Sequence, residues 1–262
     1  METKFINSIE ELITILNSFE NHYIFRGQSH ETWELKSSLE RTLGDKYREK
    51  AEVFEKYAIR EFKTKFELYN TNDYQPQTML EWLAMMQHYG TPTSLLDFSE
   101  SPYIALYFAL ENADKLQEEN LVIYALDYRM INLNTIEEYK KLDTQFTLNY
   151  SDIEDEKDKI FEEFIERFNL SVLWVTEPQK LNKRIERQRG SFLYKTDISK
   201  TYEEILYSEL YKNVDFHKLV LPARLWDNYF TLLNKMNING KTVYGDLDGL
   251  SKQIKMFIQA YS

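Results

Sequence analysis

The 262-residue sequence has no cysteine, only seven glycines and five prolines, and no long apolar run. Without cysteine there are no disulfides, no thiolate metal ligands and no cysteine nucleophile. That composition suits a reducing compartment, so a cytoplasmic location is expected. Average usage would supply about 18 glycines and about 13 prolines at this length. Their scarcity excludes flexible linkers, collagen-like repeats and glycine-rich phosphate loops. No stretch approaches 18 uncharged apolar residues, so no membrane-spanning helix is expected. The opening METKFINSIEEL has no basic segment followed by an apolar one, as a secretory leader would. Four histidines at wide spacing (His22, His30, His88, His217) suggest no metal site. The dinucleotide-fold G-x-G-x-x-G, the Walker loop, H-E-x-x-H and G-x-S-x-G are all missing.

What is present is a large apolar and aromatic content and an acid excess. Hydrophobic residues make up 43% of the chain, including 16 Phe, 19 Tyr and 4 Trp, enough for a sizeable core. The 32 Lys and Arg against 43 Asp and Glu give a formal charge of −11. Such a chain is a poor non-specific nucleic-acid binder, because phosphate neutralisation needs basic patches. Length and the absence of linkers argue for one domain over residues 1–262.

Local signals mark the elements. Ser8-x-x-Glu11, Thr78-x-x-Glu81 and Thr201-x-x-Glu204 read as capping boxes that open helices to about Phe19, Gly90 and Tyr211. Phe54, Ala58, Phe62 and Phe66 recur every four residues, predicting a long helix from about Lys46 to Tyr69. Pro102 suits the first turn of a helix. Further helices are expected at Glu154–Phe168, Ala223–Met236 and Asp248–Tyr261, the last two separated by an Asn239-Gly240 turn. Strands are expected at His22–Phe25, Leu121–Tyr128, Ser171–Glu177, Ser191–Lys195 and Phe216–Pro222. Strands and helices mix without a βαβ rhythm, which predicts an α+β fold with a mixed sheet flanked by helices.

Three polar constellations are candidates for chemistry. In the first, FRGQ, a strand is expected to end at Phe25, Gly27 to allow a sharp turn, and Arg26 to point its fork into a cleft, beside Gln28. Arginine holds phosphate or carboxylate by two-point contact. The plain structural reading is an arginine paired with an internal carboxylate. The second, Gln87 to Ser99, packs Gln87, His88, Thr93, Asp97 and Ser99 between apolar segments, where polar groups need partners or a task. His88 suits proton exchange or hydrogen bonding. Alternation places Asp97 on the face opposite Leu96 and Phe98, and a capping role is the structural alternative. The third holds Gln188 and Gly190 at the start of a strand, where Gly190 permits close backbone approach.

Together these segments resemble the FRG-domain family, named for the Phe-Arg-Gly triplet at Phe25–Gly27. FRGQ is followed by Trp33, Leu35 and Arg41. Then come the blocks QHYG-x-PT-x-LLDFS and P-x-x-AL-x-FA, followed by an Arg184/Arg187–Gln188–Gly190–Phe192 element and the closing GDLDG. The resemblance runs over about residues 20–258. Ser94 stands where the family usually has arginine, and Gly245 where it usually has proline. The family resemblance implies no particular reaction. The layout is also similar, more distantly, to ADP-ribosyltransferases of the Arg–Ser–Glu type. In those, an Arg-Gly on an early strand precedes a polar strand leading into a helix and then a third strand opening on a glutamate motif. Here the third motif offers Gln188 and Gly190, with no glutamate.

The layout implies a cleft for NAD or another small nucleotide, with no metal. Arg26 would clamp phosphate, with Gly27 and Gln28 shaping its surroundings. Asp97 and Ser99 would reach ribose, with Gln87 and Thr93 beside them. His88 would orient or exchange a proton, Gln188 would contact base or ribose, and Gly190 would let the backbone approach. One expectation is a transferase or glycohydrolase acting on NAD, used as a toxin or defence effector on a macromolecular acceptor. The other is a non-catalytic module that binds or senses nucleotides or nucleic-acid ends in the same cleft. A third, structural, reading makes the motifs one internal hydrogen-bond network.

Overall fold

The computed structural model describes residues 1–70, 74–115, 117, 119–142, 160–162, 170–178 and 183–261. Seven strands form one mixed sheet: β1 (Glu2–Phe5), β2 (Tyr23–Gln28), β3 (Leu96–Ser99), β4 (Leu121–Asp127), β5 (Leu173–Thr176), β6 (Gly190–Lys195) and β7 (Phe216–Leu221). Their order is β1-β7-β4-β2-β3-β6-β5, with β1 parallel to β7 and all other neighbours antiparallel. The described helices are α1 (Ile9–Ser18), α2 (Ser38–Leu43), α3 (Tyr47–Tyr69), α4 (Met79–His88), α5 (Pro102–Glu111), α6 (Tyr128–Leu142), α7 (Lys183–Gln188), α8 (Tyr202–Leu206), α9 (Trp226–Lys235), α10 (Gly240–Tyr244) and α11 (Leu247–Tyr261). This is the expected α+β class.

β4 is buried on both faces, so its residues sort by parity into two cores. Leu121, Ile123 and Ala125 pack with α1, α5, α9 and α10. Val122, Tyr124 and Leu126 pack on the other face with Leu35, Tyr202 and Phe216.

The sheet has one weak seam. β2 and β4 pair along six residues, from Tyr23 with Asp127 to Gln28 with Val122. β3 and β6 pair along all four residues of β3. Between these two blocks, β2 meets β3 only at Phe25 opposite Ser99. Beyond that point the strands part.

Several expectations are corrected. The first strand does not end at Phe25 but runs through Arg26 and Gly27 to Gln28, so Gly27 makes no turn. Its role is packing: a Cβ there would lie 1.8 Å from the Ala105 carbonyl oxygen and 2.6 Å from the Ala109 nitrogen, both backbone atoms of α5. Only a residue without a side chain lets the helix lie this close. The Asn239-Gly240 turn is instead a helix start, with the Asn239 side chain accepting from the Lys241 and Thr242 N–H groups of α10. Helix α8 stops at Leu206, and a separate 3-10 turn covers Glu209–Tyr211. Five of the described strands and α-helices were not anticipated: β1, α2, α6, α7 and α10. The helix expected at Glu154–Phe168 lies outside the described residues except for residues 160–162.

Candidate functional site

A cleft of about 740 Å³ opens where β2 and β3 part. Its walls bring together Arg26, Gly27 and Gln28 from β2, Gln87 and His88 from the end of α4, Asp97 and Ser99 from β3, Gln188 from the end of α7, and Gly190 from β6. Thus nine of the ten anticipated site residues share one concavity. Thr93 does not line it. It is fully buried behind the wall, where its hydroxyl donates to the Gln87 side-chain oxygen.

Arg26 spans the gap between the parted strands. Its Nη1 donates to the Asp97 backbone carbonyl at 2.7 Å, and its Nε has no partner among the described residues. The contact is thus to main chain and not to the Asp97 carboxylate. Burial lowers the guanidinium's pKa, Asp97 opposes that shift and Arg41 adds to it. The group stays charged, because arginine titrates far above neutral pH. A partly dehydrated cation beside a second cation is stabilised by an arriving anion.

Asp97 behaves as alternation predicts, exposed between buried Leu96 and Phe98. It does not cap a helix. One carboxylate oxygen accepts from Gln87 Nε2 at 2.5 Å. Gln87 is therefore fixed from both ends, by Thr93 and by Asp97. Ser99 is already committed. Its hydroxyl donates to the Gln188 carbonyl at 2.7 Å and accepts from the Ser101 N–H at 3.0 Å. Having one proton, it has none left for a ligand. Its effect is to tie the end of α7 to β3.

α7 is followed by Arg189 at φ 45°, a left-handed residue that turns the chain into β6. The conformational strain thus falls on Arg189 and not on Gly190, whose absent side chain leaves room for Ile185. Gln188 Nε2 and His88 Nδ1 are buried without partners among the described residues. Burial lowers the His88 pKa, Arg184 lowers it further, and Asp246 partly opposes them.

The cleft also recruits residues to which sequence reading gave no role. Trp33, Glu34, Lys36 and Arg41 come from the segment after β2, Arg184 from α7, and Phe108, Glu111 and Asn112 from the end of α5. Trp33, Arg41, Phe108 and Arg184 stood within the quoted motifs, and that was their only signal. Arg184 lies over the Tyr244 ring at 4.6 Å, and Arg187 Nη1 donates to the Tyr244 carbonyl at 3.1 Å. Gly245 follows at φ 78°, a conformation closed to proline, with the Arg187 guanidinium against its Cα. Glu111 forms a closed network: it pairs with Lys252 at 2.5 Å and accepts from Tyr244 Oη at 2.9 Å. Ser94 is fully buried, and its N–H donates to Glu55 at 2.6 Å. Among the described residues no cluster of three or more His, Asp or Glu is placed to hold a metal ion.

Residues 21–118 match the family model of the FRG domain. The matched segment supplies β2, β3 and the α4–α5 wall of the cleft. The match ends before α7 and β6, so the third motif is joined to the domain by the sheet and not by the family model. No curated protein and no solved structure matches the chain.

Proposed function

We propose that the cleft binds a small nucleotide, with NAD or its ADP-ribose portion as the chemistry it fits. The carrying observation is convergence. Arg26, His88, Asp97 and Gln188 come from four elements in three distant segments and line one concavity at the parting of two strands. A hydrogen-bond network serving only the fold needs no such opening. The volume lies within the range of small-ligand sites. In this reading Arg26 and Arg41 hold phosphate, which offsets their mutual repulsion. Gln87 and Asp97 meet ribose hydroxyls, Gln188 supplies an amide to ribose or base, and His88 exchanges a hydrogen bond with the ligand.

Binding without chemistry is the reading best supported. An amide, Gln188, stands where the third motif of a transferase has its glutamate, and Asp97 is already engaged by Gln87. Cleavage of NAD, with use as a toxin or defence effector, is the second reading. It is favoured by one observation, the exposed carboxylate of Asp97 in the cleft.

Two assays separate the readings. Thermal melts with NAD, ADP-ribose and AMP test binding. Ligand at 100 times its Kd contributes about 2.7 kcal/mol, a shift of roughly 5–10 °C for a chain of this size. Absence of any shift with all three rejects the nucleotide site. Nicotinamide release from NAD that disappears in Asp97→Asn establishes the catalytic reading, and no release rejects it.

A further inference from the structure

We infer that the ligand presents an adenine ring, with Trp33 as the platform on which it stacks and Gln28 as the acceptor for its amino group. This rests on the nucleotide reading and adds to it where the adenine sits and which side chains recognise it. The Trp33 backbone is fixed at both ends. Its N–H donates to the His30 carbonyl at 3.3 Å, and its carbonyl accepts from Tyr124 Oη at 3.0 Å. The His30 ring lies 4.3 Å from the indole with a 31° tilt. Trp33 lines the cleft and His30 does not. The imidazole thus packs on the indole without itself lining the cleft.

The exposure pattern singles out this residue. Trp33 is 49% exposed, whereas Trp82, Trp174 and Trp226 are 8% exposed or less. A lone exposed aromatic on a surface calls for no explanation. One that is anchored, backed by a second ring and set in a cleft with Lys36 and Arg41 is built as a stacking surface for a base whose phosphate meets the cations.

Gln28 supplies the selectivity. It is 6% exposed and also lines the cleft. Its Nε2 donates to the carbonyl of Glu34, the residue next to Trp33, at 3.3 Å. That bond fixes the orientation of the amide, so the atom left over is the oxygen. Gln28 Oε1 has no donor among the described residues. Buried acceptors are rarely left unpaired. The exocyclic amine of adenine supplies a donor, and hypoxanthine, with oxygen at that position, cannot.

The test is a fluorescence titration of the full chain with AMP, IMP and ribose 5-phosphate, run beside thermal melts with the same ligands. AMP is expected to quench emission from exposed tryptophan, and ribose 5-phosphate to bind without quenching. Trp33→Ala is expected to weaken AMP on the order of tenfold and leave ribose 5-phosphate unchanged, and Trp33→Phe to retain most of the affinity. IMP is expected to bind about tenfold more weakly than AMP in wild type and equally with it in Gln28→Ala. AMP that raises the melting temperature without quenching, or that binds Trp33→Ala as tightly as wild type, overturns the platform and leaves the nucleotide reading standing. Equal wild-type affinity for AMP and IMP overturns the Gln28 contact. If neither AMP nor ribose 5-phosphate shifts the melt, the nucleotide reading fails, and this inference fails with it.

Discussion

Replacing Gly27 by alanine puts one methyl group into a close backbone contact between β2 and α5. At 1.8 Å from the Ala105 carbonyl oxygen and 2.6 Å from the Ala109 nitrogen, the new Cβ meets main chain, which cannot rotate away as a side chain would. Either α5 lifts from β2 or β2 bends. α5 packs between β2 and the cluster that includes Trp226, Tyr229 and Tyr244, so lifting it loosens a core assembled from several helices. Overpacking a core costs typically about 1–3 kcal/mol, and a backbone collision belongs at or above the top of that range. For a chain of this length, about 3 kcal/mol lowers the melting temperature by roughly 6–12 °C. Urea denaturation followed by circular dichroism, with and without a fixed nucleotide concentration, reads both stability and the neighbouring site. Gly27→Ala with an unchanged urea midpoint and unchanged slope would refute the packing argument.

Other perturbations test separate parts of the structure. Ser99→Ala leaves the Gln188 carbonyl and the Ser101 N–H without their partner, so it is expected to lose about 1–3 kcal/mol in the same denaturation assay. An unchanged midpoint would show that Ser99 does not tie α7 to β3. Lys195 pairs with Glu40 at 2.9 Å, both side chains being 2% exposed or less, and its ammonium lies 4.7 Å from Tyr47 and 4.5 Å from Tyr202. Lys195→Met strands the Glu40 charge and is expected to destabilise by about 3–5 kcal/mol, whereas a melt like that of wild type would contradict a buried ion pair. His88 has a folded-state pKa below its unfolded value near 6.5, because it is buried beside Arg184. Between those two values the unfolded chain holds the proton and the folded chain does not. Stability is therefore expected to fall as pH drops from about 6.5 to the folded pKa, with a smaller slope in His88→Gln. Equal slopes in urea melts across that window would remove His88 as the cause.

Much of the fold was legible because capping is local chemistry. The boxes at Thr78 and Thr201 form as written, and Ser8 accepts from Glu11 N–H as expected. Strand β4 was legible from its unbroken apolar run. Elements held by distant partners were not. β1 is exposed at all four residues and shows no alternation, and it is held by parallel pairing with β7, more than two hundred residues away. α7 buries only Ile185, so its charged sequence reads as a turn. The start of α6 did leave a trace, since Asp127 Oδ1 accepts from Met130 N–H, but the apolar pattern of β4 masked it. The site divides in the same way. Its members could be gathered from three motifs, while the seam that opens the cleft depends on where β2 and β3 stop pairing, which no single segment encodes. Gly27 lines the cleft, but as a packing residue and not as a turn, because the backbone it accommodates belongs to α5.

The central claim is that Arg26 holds an anionic nucleotide in the gap between β2 and β3. Calorimetric titration of ADP-ribose into wild type and Arg26→Ala tests it most directly. A hydrogen bond to a charged group contributes about 1.5–3 kcal/mol, so the variant is expected to bind roughly 10- to 150-fold more weakly. Equal affinity in the two proteins, or no heat of binding to wild type at any concentration that saturates a small-ligand site, would contradict the claim.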